Sequence, residues 1–180
     1  MNKRFILLLI FTCVLACKTP EARKPETVKT GSFIKESALR NKERFQVEKM
    51  AIEAYIKKQN SKQFKTSEYG FWFSQDTLVT VNPSKLPEFG DIINFNFNLS
   101  GLDNQPIYSA SELKTRNYAM DQDALFTGLR EGLKLMRAGE TYTFIFPSQK
   151  AYGYYGDQKK ISSNTPLISQ VTVHSITEKK

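Results

Sequence analysis

The sequence predicts an α+β domain, an antiparallel β-sheet wrapped around one short helix, preceded by an N-terminal helix and a tether. Three observations predict it. Beyond residue 62, apolar and polar side chains alternate in several short runs, the period of half-buried strands. Eight of the nine glycines lie in the same stretch. One helical repeat interrupts the runs: Leu125, Leu129 and Leu133 recur every fourth residue, and Gly139 follows as a stop signal. Strands gathered around a lone helix bury one face of each, which is an α+β layering.

Residues 1–16 read as a secretory signal. Lys3 and Arg4 precede an apolar run from Phe5 to Leu15, too short to span a bilayer, which takes about 20 residues. Val14-Leu15-Ala16-Cys17 resembles the bacterial lipobox, so Cys17 is the expected site of lipidation and the new N-terminus. Cys13 leaves with the signal, and no disulfide can form within the remaining chain. Residues 17–35 hold Pro20, Pro25 and several Lys and Arg without an apolar period, a basic tether. Residues 36–62 form the expected N-terminal helix. From Glu36 to Lys58 there is no Gly or Pro, and Ile34, Ala38, Phe45, Ile52 and Ile56 share one face. That helix either packs on the domain or serves self-association.

Residues 63–180 form the domain. Tyr69–Phe73 and Leu78–Val81 read as strands. Ile93, Phe95, Phe97 and Leu99 alternate with Asn94, Asn96 and Asn98; Tyr142, Phe144 and Phe146 alternate with Thr141, Thr143 and Ile145. Leu167, Ser169, Val171 and Val173 share one face of a closing strand.

Several chemistries are excluded. One histidine, His174, allows no multi-His metal centre and stands beside no candidate triad. Gly128-Leu129-Arg130-Glu131-Gly132 lacks phosphate-loop spacing. Asp121 and Asp123 sit just before a helix, where the helix dipole favours carboxylates. The reading calls for no cofactor and no metal. What the domain does contain is abundant aromatic residues and a loop, Ala151-Tyr152-Gly153-Tyr154-Tyr155-Gly156, fit to line an apolar pocket. Such a pocket suits a reaction without proton transfer, and rotation of a peptide bond is one. Its barrier is about 18–20 kcal/mol, and for a bond to proline the two isomers are nearly balanced. Twisting the amide removes its resonance and makes the carbonyl less polar, so a desolvating bowl favours the twisted state over the planar one.

The run Gly128-Leu129-Arg130-Glu131-Gly132-Leu133-Lys134-Leu135-Met136 followed by Gly139-Glu140 resembles the central helix of FKBP-type peptidyl-prolyl isomerases. Ala151-Tyr152-Gly153, Gly156, Ile161 and Leu167 keep the spacing of that family's flap and closing strand, and Gly90-Asp91 fits the start of its first long strand. The resemblance covers roughly residues 63–176. With the lipobox, tether and helix, the whole chain is similar to the gliding motility-associated lipoprotein isomerases of Bacteroidetes. It implies an FKBP-like fold and prolyl isomerase activity. It also implies roles: Phe97 and Tyr108 as aromatic walls, Leu125 and Phe126 as the pair before the central helix, Leu129 as pocket floor, and Tyr118 as a further wall. The Tyr152 hydroxyl and the Ile161 N–H would bond substrate carbonyls. Three positions depart from the family: Leu129 replaces tryptophan, Ser109 an acidic residue, and Ser169 an aromatic one. They leave open a catalytically weak chaperone or scaffold that keeps the bowl.

The net charge of +8 invites a nucleic-acid reading, but its distribution opposes one. Lys3 and Arg4 carry +2; residues 17–62 hold 12 basic and 6 acidic side chains; residues 63–180 hold 12 of each and sum to zero. The expected partners are proline-containing polypeptide clients and, through the N-terminal lipid, a membrane. The expected place is the periplasmic side of a bacterial envelope.

Overall fold

The computed structural model describes residues 30–79 and 85–179. The expected signal, Cys17, the tether up to residue 29, and Thr80 and Val81 of one expected strand lie outside the described residues. The chain divides into two units, with the boundary between residues 39 and 40, within the first helix.

That helix, α1, runs Thr30–Lys58. It begins before Glu36 because after Pro25 only Gly31 opposes a helix, and one Gly near the first turn is tolerated. Its expected apolar face is buried only in part. Ile52 is fully buried and Phe45 and Ile56 are half-buried, whereas Ile34 and Ala38 are exposed.

The strands are β1 (Lys65–Thr66), β2 (Trp72–Thr77), β3 (Ile92–Phe97), β4 (Leu99–Ser100), β5 (Pro106–Tyr108), β6 (Arg116–Ala119), β7 (Thr141–Phe146) and β8 (Leu167–Thr177). Two helices join them, α2 (Ala110–Leu113) and α3 (Thr127–Leu133). The strands form one sheet in the order β1-β2-β7-β8-β3-β6, with β4 pairing β5 and β8 at its side, and every pairing is antiparallel. Two expected strand ends move. Tyr69 and Gly70 form a turn, with Gly70 at φ +80°, so β2 starts at Trp72; and Leu78 and Val79 leave the sheet after the irregularity between Gln75 and Thr77. His174 is exposed, in the bulge where β8 shifts register against Asn94 and Phe95 of β3.

The inner face of the sheet is buried, and part of the outer face is covered as well. On the inner face α3 packs Leu129 and Leu133 against Phe71, Phe95, Phe144, Phe146 and Val171. The approach is close because α3 presents two glycines: a Cβ at Gly132 would lie 3.0 Å from the Phe144 ring, and one at Gly128 would strike the Phe146 ring and come within 2.8 Å of the Lys150 carbonyl. On the outer face Ile52 of α1 covers Ile145 and Ile168, with Tyr55, Ile56, Phe64 and Trp72 around them. This second layer explains why β7 is buried at nearly every position although its sequence alternates.

Candidate active site

The inner sheet and α3 leave a hollow of about 360 Å³ at one end, lined by Phe97, Arg116, Ala124, Leu125, Phe126 and Tyr152. Each wall has a local origin. Phe97 ends β3 on the inward side of its alternation, 5.6 Å from the Phe95 ring. Leu125 and Phe126 lie on the segment entering α3, whose extended N-cap residue is Phe126. Its backbone N–H has no intramolecular partner among the described residues. Tyr152 follows the 3₁₀ turn Ser148–Lys150, and its ring lies 5.3 Å from Phe126. Phe126 in turn meets Phe146 edge-on at 5.3 Å.

Tyr152 is half-buried and its hydroxyl is bonded to no other described residue. Burial first, then the negative charge of Asp157, pushes its pKa above the ordinary tyrosine value, with Arg116 opposing. The phenol therefore stays protonated at neutral pH, a donor without a protein acceptor at an otherwise apolar wall.

The loop after Tyr152 is held by one carboxylate. Asp157 accepts from the Tyr108 hydroxyl at 2.5 Å, the Ile161 N–H at 2.8 Å and the Lys159 N–H at 2.9 Å. Desolvation is the largest single effect on its pKa and pushes it up; the hydrogen bonds together outweigh it and hold the group below the ordinary aspartate value. The bond to Asp157 is also the main reason the Tyr108 pKa is raised. Lys160 lies over the Tyr108 ring at 4.8 Å and pairs with Glu112.

The other residues expected in the site take structural places. Ile161 is buried in the core and its N–H is spent on Asp157, so it has none left for a substrate carbonyl. Tyr108 packs beside the core but does not line the hollow, its hydroxyl being tied to the loop. Tyr118 is buried edge-on against Phe95, 6.4 Å between rings, and its hydroxyl accepts from the Asp121 N–H. Leu129 is fully buried among the core residues and is not part of the lining. Ser109 caps α2, its Oγ accepting from the Glu112 N–H at 3.2 Å. Ser169 is fully buried and donates to the Asn98 carbonyl at 2.7 Å, satisfying the chain where β3 passes into β4. Arg116 and Asp157 were missed. The signal for Arg116 was available: it is two residues before Tyr118, on the same face of β6. Nothing local in the sequence marks Asp157, whose partners lie up to 49 residues away.

A larger hollow of about 740 Å³ lies on the outer side of the sheet, but its lining is mostly polar and self-satisfied. Asp76 there accepts from Lys62, Thr143 and Gln170. It offers no apolar bowl.

The comparisons agree with the geometry. The family profile for FKBP-type peptidyl-prolyl cis-trans isomerase matches residues 84–174, just over half of the chain. No curated protein matches. Among solved structures, a peptidyl-prolyl cis-trans isomerase from Pseudomonas syringae pv. tomato is similar at TM-score 0.61 and 18% identity, covering 76% of this chain and 96% of that one. FkpA from Escherichia coli is similar at TM-score 0.60 and 20% identity, covering 98% of this chain and 83% of that one. On the profile match and the fold, this chain belongs to the FKBP-type peptidyl-prolyl cis-trans isomerase family.

Proposed function

We propose that the protein is a lipid-anchored prolyl isomerase that speeds the folding of exported polypeptides on the periplasmic side of a bacterial envelope. The catalytic part of this reading is carried by one observation: an apolar hollow walled by Phe97, Leu125 and Phe126, with the free Tyr152 hydroxyl beside it. The proline ring fills the bowl and sheds water from the amide. The twisted amide is less polar than the planar one, so this environment lowers the barrier by differential binding. The Tyr152 hydroxyl and the Phe126 N–H hold the flanking carbonyls in the twisted geometry.

A protease-coupled assay on Xaa-Pro peptides with the purified full chain tests it. Acceleration above the thermal rate is expected. Replacing Tyr152 with phenylalanine removes one hydrogen bond, about 1 kcal/mol, and should lower kcat/KM by about fivefold. No acceleration by the wild-type chain overturns the enzymatic reading. It would leave the second reading, a binding bowl acting as chaperone or scaffold, although Leu129, Ser109 and Ser169, the departures that suggest it, all stand outside the lining and give it no support from the structure.

The anchor rests on the lipobox at Cys17 and the resemblance to gliding motility-associated lipoproteins. No helix among the described residues is long and apolar enough to cross a membrane. Cys17→Ser should release the protein from membranes washed at high salt, where attraction of the basic segment is screened; a variant that stays bound there refutes lipidation at this residue. Self-association through α1 is proposed on the exposure of Val47 and Met50, and a monomer in sedimentation across the micromolar range would refute it.

A further inference from the structure

The walls of the hollow are neutral except at one point. Arg116, the first residue of β6, pairs with Phe95 of β3 across the sheet and lays its guanidinium over the Phe97 ring at 5.5 Å. The side chain is exposed, and no carboxylate lies within ion-pair distance of it among the described residues. The acids nearby are engaged elsewhere. Glu112 pairs with Lys160, Asp121 with Arg130 and Lys134, Asp123 accepts from the Ala119 N–H, and Asp157 holds Tyr108, Ile161 and Lys159. The Arg116 charge is also felt at the Tyr152 phenol, on the same hollow.

We propose that Arg116 is a specificity-determining residue that favours prolines flanked by an acidic side chain. The inference rests on the isomerase reading. A proline ring seated among Phe97, Leu125, Phe126 and Tyr152 leaves its neighbours at the rim, within reach of the guanidinium. The aromatic face restrains Arg116 without neutralising it, so its forked donors remain free for a carboxylate and little order is lost on binding. An exposed pair of this kind is modest, so the expected preference is about two- to fivefold.

The test compares kcat/KM for peptides that differ only beside the proline, with Glu, Gln, Leu or Lys placed on either side. Glu exceeds its neutral isostere Gln about two- to fivefold at low salt on at least one side. The ratio falls toward one near 1 M salt, where the screening length is about 3 Å, and Lys is the poorest of the four. In Arg116→Met, which keeps an apolar stem over Phe97, the Glu-to-Gln ratio collapses to about one, whatever happens to the absolute rate. A wild-type ratio of one, or a ratio that survives Arg116→Met, overturns this inference and leaves the isomerase reading intact. Failure to accelerate any of the peptides overturns the isomerase reading, and this one with it.

Discussion

Asp157 gathers the Tyr108 hydroxyl and the Ile161 and Lys159 amides onto one carboxylate. An aspartate bonded in this way has a folded pKa below its unfolded one. Its contribution to stability is therefore present above the ordinary value of 3.8 and lost as pH falls through the lower folded value. Asp157→Asn should cost about 1 kcal/mol, read as the difference in urea midpoint from wild type. That difference should hold constant from neutral pH to about 4 and shrink below it; one that grows on acidification would show a raised pKa instead. The residue scale is also where sequence reasoning was least complete. Tyr152 and Phe97 were legible because a motif and an alternation carry them. Ser109 and Ser169 were identified as departures from the family, and in both the hydroxyl serves the backbone, as a helix cap and as a donor to Asn98. The group that the Ser169 hydroxyl meets is 71 positions away, and no local pattern records it; the Ser109 cap is local, three residues before Glu112.

Among the elements, α3 depends on its glycines. Gly128→Ala would press a methyl group into the Phe146 ring and the Lys150 carbonyl. Overpacking of this sort costs about 1–3 kcal/mol, so the variant should unfold at lower denaturant. An unchanged midpoint would mean that α3 can shift away from the sheet. A second dependence links α1 to the loop that carries Tyr152. The Glu48 carboxylate, buried on α1, accepts from both the Ser148 N–H and, at 2.7 Å, the Ser148 hydroxyl. Ser148 opens the 3₁₀ turn that leads to Tyr152. Glu48→Ala leaves two buried donors unpaired, at about 1–3 kcal/mol, and should lower both the melting temperature and kcat/KM. A fall in stability with kcat/KM intact would show that the clamp does not position Tyr152. The apolar period of α1 was legible, but its partner was not, because a helical face shows only that something covers it.

For the molecule as a whole, the uneven charge is the leading feature. Residues 17–62 carry a net +6 and residues 63–180 carry none. The Cys17→Ser chain should bind anionic vesicles at low salt, at about 1 kcal/mol per basic residue near the surface, and release them as salt rises. Binding that is indifferent to salt would place the attraction elsewhere. The charge division, the α+β class, the inward faces of β3, β7 and β8, and the short helix are properties of the sequence by itself, since composition and periodicity are local and survive without knowledge of neighbours. Tertiary structure alone decided three things: that α1 makes a second core on the outer face, that Arg116 rather than Tyr118 reaches the hollow, and that the Ile161 amide is spent on Asp157. Each turns on which groups meet across the sheet or around a loop. Those meetings are set by register, bulges and close packing, where a shift of one residue exchanges the face a side chain presents.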